Sequence, residues 1–113
     1  MTTHTGSCHC GAVRYEFDAD LHEGLQCNCS HCHRKGFVLA FIPKEDFRLI
    51  SGEGAQSEYF FNKKAIRHLF CRTCGVQSYA EGIAFPQMAI NLRCVDGVDL
   101  ETLPIKRFNG KDA

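Results

Sequence analysis

The sequence predicts an all-β fold, and three observations lead to it. The segment "AVRYEF" alternates strictly, with Val13, Tyr15 and Phe17 on one side and Arg14 and Glu16 on the other, which is the period of a half-buried strand. Apolar runs elsewhere are short and are cut off by turn residues: "FVLAFI" stops at Pro43, "FRLI" runs into "SGEG", and Asp96-Gly97 is a turn dipeptide. No segment sustains a helical apolar period. With 113 residues and no linker, repeat or low-complexity stretch, residues 1–113 read as one domain.

The elements follow in order. After the first strand, "DADLHEG" is a turn region, and a loop carrying Cys27, Cys29 and Cys32 comes next. "FVLAFI", Phe37 to Ile42, is the longest apolar run and reads as a buried strand. "PKEDF" fits a single helical turn with acids near its start, and "FRLISGEG" a strand closed by glycines. "SEYFFN" and "IRHLF" are both strand-like and, separated by the polar "KKA", form a predicted hairpin. "QMAINL" is a further apolar strand, "CVDGVDLETLP" a turn-rich connection, and "IKRFNG" closes the chain.

Composition narrows the class of function. Hydrophobic residues are 44% and charged residues 23%, ordinary for a folded globular chain and unlike a disordered one. Lysine plus arginine is 13 and aspartate plus glutamate is 13, so the formal charge is zero. A general nucleic-acid binder carries a basic excess or stripe, and the nearest approach here, "FNKKAIRH", is short; no nucleic-acid partner is expected. The opening "MTTHTGSCHCG" has no apolar core of the signal-peptide kind, and no run approaches the ~20 apolar residues of a membrane helix. The expected address is the cytoplasm, where thiols stay reduced and clustered cysteines mean metal or redox chemistry.

Seven of the eight cysteines fall into the clusters "CHC", "CNCSHC" and "CRTC". Metal ligation is favoured over a disulfide framework on the same compartment argument. Soft thiolate sets suit zinc or iron–sulfur clusters, and zinc needs no redox partner. In "FCRTCG" the CxxC turn places two sulfurs on one side of a tight loop, and Gly75 permits a positive φ there. Cys8 and Cys10 supply the second sulfur pair, so Cys8, Cys10, Cys71 and Cys74 make a closed, structural zinc site that clamps the N-terminal strand to the middle of the chain. Cys27, Cys29 and Cys32 remain as a set of three. Three thiolates leave one position of a tetrahedral ion for water or substrate, the mark of a catalytic zinc. Zinc with three thiolates carries a charge of about −1, is a weak Lewis acid toward water and favours a substrate thiol over hydrolysis.

The residues around these clusters leave alternatives open. His31 or His33 could be a fourth ligand and close the second site, and His9 is either a ligand or a loop residue. Arg34 and Lys35 either meet carboxylates of a thiol substrate or form a solvated basic pair. Cys94, beside Arg93 in "NLRCVDG", is either a redox nucleophile or a half-buried small apolar residue.

Taken in order, "GSCHCGAVRYEF", "CNCSHCHRKG", "LFCRTCG" and "INLRCVDGVDL" resemble the glutathione-dependent formaldehyde-activating family, also called the CENP-V/GFA domain, from about Gly6 to Gly110. The resemblance implies an Mss4-like β fold of short antiparallel sheets with two zinc sites. By position it implies Cys8, Cys10, Cys71 and Cys74 for the structural ion and Cys27, Cys29 and Cys32 for the catalytic one. It also implies a carbon–sulfur lyase that joins formaldehyde to a small-molecule thiol, glutathione, giving S-(hydroxymethyl)glutathione. For such a reaction a polar group near the triplet, His31 or Arg34, is a candidate to stabilise the developing alkoxide. The competing readings are a non-catalytic Mss4-like zinc module that binds a protein or nucleic acid, the latter disfavoured by the neutral charge, and a thiol redox enzyme using Cys94.

Overall fold

The computed structural model describes residues 1–60 and 65–112. Those residues form strands β1 (Thr2–Ser7), β2 (Arg14–Ala19), β3 (Gly24–Cys27), β4 (Leu39–Pro43), β5 (Phe47–Ser51), β6 (Gln56–Tyr59), β7 (Ile66–Cys71), β8 (Tyr79–Gly82), β9 (Gln87–Asn91) and β10 (Ile105–Phe108), with one short helix, α1 (Ser30–Lys35). The fold is all-β, as the sequence predicts. The turn expected in "PKEDF" is a 3-10 turn over Lys44–Asp46. The expected hairpin is present, with β6 and β7 antiparallel and Tyr59 opposite His68; the Phe61 and Asn62 end of "SEYFFN" lies outside the described residues.

The strands make two sheets, β1-β2-β5 and β10-β3-β4-β9-β8-β7-β6. Pairing is antiparallel except between β10 and β3, which run parallel and place Phe108 opposite Cys27. Three strands escape sequence inspection. β1 is polar and mostly exposed, β3 has four residues, and β8 contains a glutamate and a glycine, so none shows an apolar period. The cysteine loop is also shorter than expected: Cys29 caps α1 and Cys32 sits inside it.

The core lies between the sheets. Tyr15 and Phe17 of β2, and Val13 just before it, are buried on the same inner side, as their alternation requires, and Arg14 is exposed. They meet Leu69, Tyr79, Met88 and Ile90 of the larger sheet in one cluster. Tyr15 stacks on Phe47 at 5.5 Å and meets Tyr79 edge-on at 5.4 Å, an arrangement favoured by the ring quadrupoles. Each such side chain contributes about 1.5–3 kcal/mol by leaving water. On the outer face of the small sheet Arg48 bridges Glu16 at 2.7 Å and Asp18 at 3.0 Å, and this guanidinium, with Thr3, holds the Asp18 carboxyl down at about 2. Exposed pairs of this kind add little stability.

Phe17→Ala is expected to destabilise the protein by about 3–5 kcal/mol, because it opens a cavity between the sheets. Phe41→Ala, on the opposite face of the large sheet and 44% exposed, should cost much less. Urea unfolding midpoints compare the two; equal losses would mean that the core is not where the sheets meet.

Candidate functional site

The described cysteines gather into two groups. The sulfurs of Cys8, Cys10, Cys71 and Cys74 lie within 4.8 Å of one another, and so do those of Cys27, Cys29 and Cys32. No cysteine is in a disulfide. The structure therefore brings together the same two sets that spacing suggests, including Cys10 and Cys71, which are far apart in the chain.

The four-sulfur group joins the sheets. Cys8 and Cys10 follow β1 in the small sheet, whereas Cys71 ends β7 in the large one. The Cys8–Cys10 and Cys10–Cys71 sulfur separations are 3.7 and 3.6 Å. Thiolates around a tetrahedral ion with bonds of about 2.3 Å stand about 3.8 Å apart, so the donor set fits such an ion with little adjustment. Local backbone geometry creates each pair. Gly75, at φ 81, closes the Cys71–Cys74 knuckle, its N–H donating to the Cys71 carbonyl at 2.8 Å. The Val13 N–H donates to the Cys8 sulfur at 3.4 Å. Backbone N–H groups of Cys10 and Val76 pull the Cys74 thiol down to about 6, toward the thiolate that a metal requires.

The three-sulfur group sits where β3 ends and α1 begins. Cys27 is the last residue of β3, and Cys29 caps α1 by accepting from the Cys32 N–H at 3.4 Å. The Cys29 N–H in turn donates to the Cys27 sulfur at 3.5 Å. Burial pushes the Cys29 thiol up, but the Cys32 N–H and the neighbouring thiols outweigh it and lower it overall. Burial and the neighbouring Cys29 push Cys32 up. Gly36, at φ 70, ends α1 by bonding back to the Cys32 carbonyl. The segment after β10 braces the loop: Asn28 donates to Asn109 at 2.9 Å and to the Phe108 carbonyl at 3.1 Å, and Gly110 lies against the Cys27 sulfur.

The three sulfurs face a cavity of about 370 Å³. Strand alternation builds it. On β4, Ile42 enters the core while Leu39 and Phe41 line the cavity; on β9, Met88 and Ile90 enter the core while Ala89 and Asn91 line it. On β7, Leu69 is core and Ile66 and His68 are cavity wall. Cross-strand register sets Phe41, Ala89, Ala80 and His68 in one row across four strands. Phe37, behind α1, helps close the space. A separate groove shares Cys27 and Cys32 with the cavity and is lined by Asn28, His33, Arg93, Arg107 and Asn109. Arg93 Nε donates to the Gly36 carbonyl at 2.9 Å and Arg107 Nη1 to Gln26 Oε1 at 3.1 Å, so each guanidinium is anchored by one N–H and keeps others for a ligand.

The residues around the clusters fall differently from expectation. Among the described residues no histidine joins either sulfur group. His9 and His33 are exposed. His31 stacks against Tyr59 at 5.6 Å and meets His68 in a tilted contact at 4.2 Å, and Arg34 Nη1 folds back on the Ser30 carbonyl at 3.0 Å; neither lines the cavity. The polar groups on its wall are His68, Gln77 and Asn91, which sequence reasoning missed. Gln77 Nε2 and His68 Nδ1 are hydrogen-bonded at 3.2 Å. Burial, with the charges of His31 and Lys35 adding to it, lowers His68 to about 4, so the ring is neutral at pH 7. The only sequence signal for His68 is a polar residue at a buried period in "IRHLF", which also describes a satisfied core histidine. Cys94 is half-buried, accepts from Asn91 at 3.6 Å, and has its thiol pushed up by burial, the reverse of an activated nucleophile. Its neighbour Arg93 turns away to Gly36.

Comparison with known proteins agrees with this architecture. A crystal structure of a Rhodobacter sphaeroides protein is 30% identical in sequence and superposes with a TM-score of 0.80, over 90% of this chain and 99% of that one. The family model described as glutathione-dependent formaldehyde-activating enzyme matches residues 3–106, from β1 into β10. That span includes both cysteine groups and most of the cavity wall, and this chain therefore belongs to the glutathione-dependent formaldehyde-activating enzyme family.

Proposed function

We propose that this protein is a cytoplasmic, single-domain, zinc-dependent carbon–sulfur lyase acting on a thiol–aldehyde adduct such as S-(hydroxymethyl)glutathione. The observation that carries the reading is the three-sulfur group. Its donors lie within 4.8 Å of one another, face a cavity, and are joined by no further His, Cys, Asp or Glu among the described residues. Family membership supports a thiol partner of the glutathione kind.

Cys27, Cys29 and Cys32 would hold the catalytic ion, and Cys8, Cys10, Cys71 and Cys74 the structural one. A zinc ion at the three-sulfur group supplies an open position with affinity for soft sulfur. The chain's own residues do the rest. Arg93 and Arg107 present guanidinium groups beside Cys27 and Cys32, suited to the carboxylates of an anionic thiol. The apolar wall keeps water from the carbonyl carbon. In the forward direction the thiol sulfur bonds to that carbon, the carbonyl π pair moves to oxygen, and the thiol proton ends on the same oxygen; lysis reverses each movement. His68, which lines the cavity and stays neutral near pH 7, adds no charge of its own to the apolar wall. A partner-binding module has no use for this cavity behind the sulfurs.

Two substitutions separate the metal roles. Cys71→Ser should lose metal and also drop the melting temperature sharply, since binding at a closed site is folding energy. Cys29→Ser should reduce zinc toward one ion per chain while the protein stays folded. Elemental analysis beside thermal melts reads both, and unchanged zinc in Cys71→Ser would remove it from the structural set.

Cobalt substitution tests the reaction centre. Glutathione should change the sulfur-to-cobalt charge-transfer band of the parent protein and leave that of Cys29→Ser unaltered. A parent band indifferent to millimolar glutathione would count against this thiol, and lyase turnover by Cys29→Ser would sink the zinc mechanism.

A further inference from the structure

We infer that the carbonyl partner at this site is a bulky apolar aldehyde, with an alkyl chain or aryl ring, and that a one-carbon aldehyde leaves most of the cavity unused. The inference rests on the reading of Cys27, Cys29 and Cys32 as the reaction centre and adds the substrate class.

Size is the first argument. A water molecule occupies about 30 Å³ of liquid, and formaldehyde has only one more heavy atom. The cavity beside the sulfurs measures about 370 Å³, within the range of sites that enclose far larger ligands.

The second argument is how the space arises. Ala80 and Ala89 pair directly at the centre of the sheet, between Phe41 on one side and His68 on the other. Leu39 and Ile66 stand around them on the same face. Leucine or isoleucine at the two central positions would fill the hollow, as Met88 and Ile90 fill the opposite face of β9. The alanines keep open a volume that the sheet does not need for its own packing.

The third argument is the separation of polarity. Cys27 and Cys32 border both the cavity and the groove that carries Arg93 and Arg107. A polar, anionic thiol is accommodated in the groove. A polar or charged tail inside the cavity would lose its water against apolar walls and find almost no partner. An apolar tail gains from the same burial. The adduct so formed is a hemithioacetal: one S–C bond is made, the carbonyl π bond is spent, the thiol proton ends on oxygen, and nothing is oxidised or reduced.

The test uses the zinc-loaded full chain with glutathione, and in parallel 2-mercaptoethanol, against formaldehyde, butanal, hexanal and benzaldehyde. Each rate is divided by its uncatalysed rate, which removes differences in intrinsic electrophilicity. A buried methylene is worth about fourfold, so the enhancement for hexanal should exceed that for butanal roughly 15-fold. Ala89→Phe should lower the ratio of hexanal to formaldehyde enhancement at least tenfold. Binding is read apart from turnover: the methyl resonances of Ala80 and Ala89 should shift on titration with 1-hexanol, an unreactive analogue. Enhancement that is greatest for formaldehyde and flat with chain length, or methyl resonances indifferent to 1-hexanol, overturns the inference while leaving the lyase reading in place. Failure of the parent protein to accelerate any aldehyde with either thiol overturns both. The parent's aldehyde series and titration decide the matter even if Ala89→Phe does not fold.

Discussion

Alternate residues of a β-strand face opposite sides of its sheet, and the large sheet of this protein has a different use for each side. One side carries Ile42, Leu69, Met88 and Ile90 into the core beneath the three-stranded sheet. The other carries Leu39, Phe41, Ala89, Asn91, Ile66 and His68 into a cavity. Both sets come from the same strands, offset by one residue. A register slip of one would exchange core for cavity, so the pairing that stabilises the molecule also defines the site. This is why apolar side chains persist on a face that no second sheet covers: they line a binding space and do not complete a core.

The two cysteine groups occupy different positions in this layout. Cys8, Cys10, Cys71 and Cys74 lie at a junction between the sheets, where four donors close on one point and leave no room for a ligand. Cys27, Cys29 and Cys32 come from one strand end and the first turn of α1, a single short stretch that can approach an ion from only one side. The other side is the cavity. Backbone N–H groups aimed at the sulfurs occur in both groups, to Cys8 in one and to Cys27 and Cys29 in the other. Such bonds fix where each sulfur points, which holds the donors of a group together.

Charge is distributed locally despite a net charge of zero. Arg48 is committed to Glu16 and Asp18, and Arg67 to Glu58 and Glu81, on surfaces away from the three-sulfur group. Among the described residues, Arg93 and Arg107 are tied by contrast to a backbone carbonyl and a glutamine, and both border Cys27 or its neighbours. A guanidinium held by neutral acceptors keeps its charge available for an anionic ligand. On the cavity wall, burial keeps the His68 ring neutral near pH 7.

Local patterns were readable from the chain alone. The alternation of Val13, Tyr15 and Phe17, the knuckle closed by Gly75 and the grouping of Cys27, Cys29 and Cys32 each depend on residues a few positions apart, and short-range geometry fixes them. The family signature has the same local character, because it consists of such spacings in order. What lay beyond reach depends on distant segments. β1 and β8 show no apolar period and become strands only because β2, β7 and β9 offer them hydrogen bonds. Arg34, four residues from Ser30 on one helix turn, folds onto that carbonyl, whereas Arg93 and Arg107 reach the site from far along the chain. His68 and Asn91 look like polar interruptions of buried strands until the register aligns them with Ala80 and Leu39 across the sheet. The sequence by itself determined the local cysteine pairs and the triplet and which strand faces are apolar, since both follow from the spacing of near neighbours. Only the tertiary structure decided that one apolar face stays open beneath three sulfurs, because a cavity is set by how much of a face the rest of the chain covers.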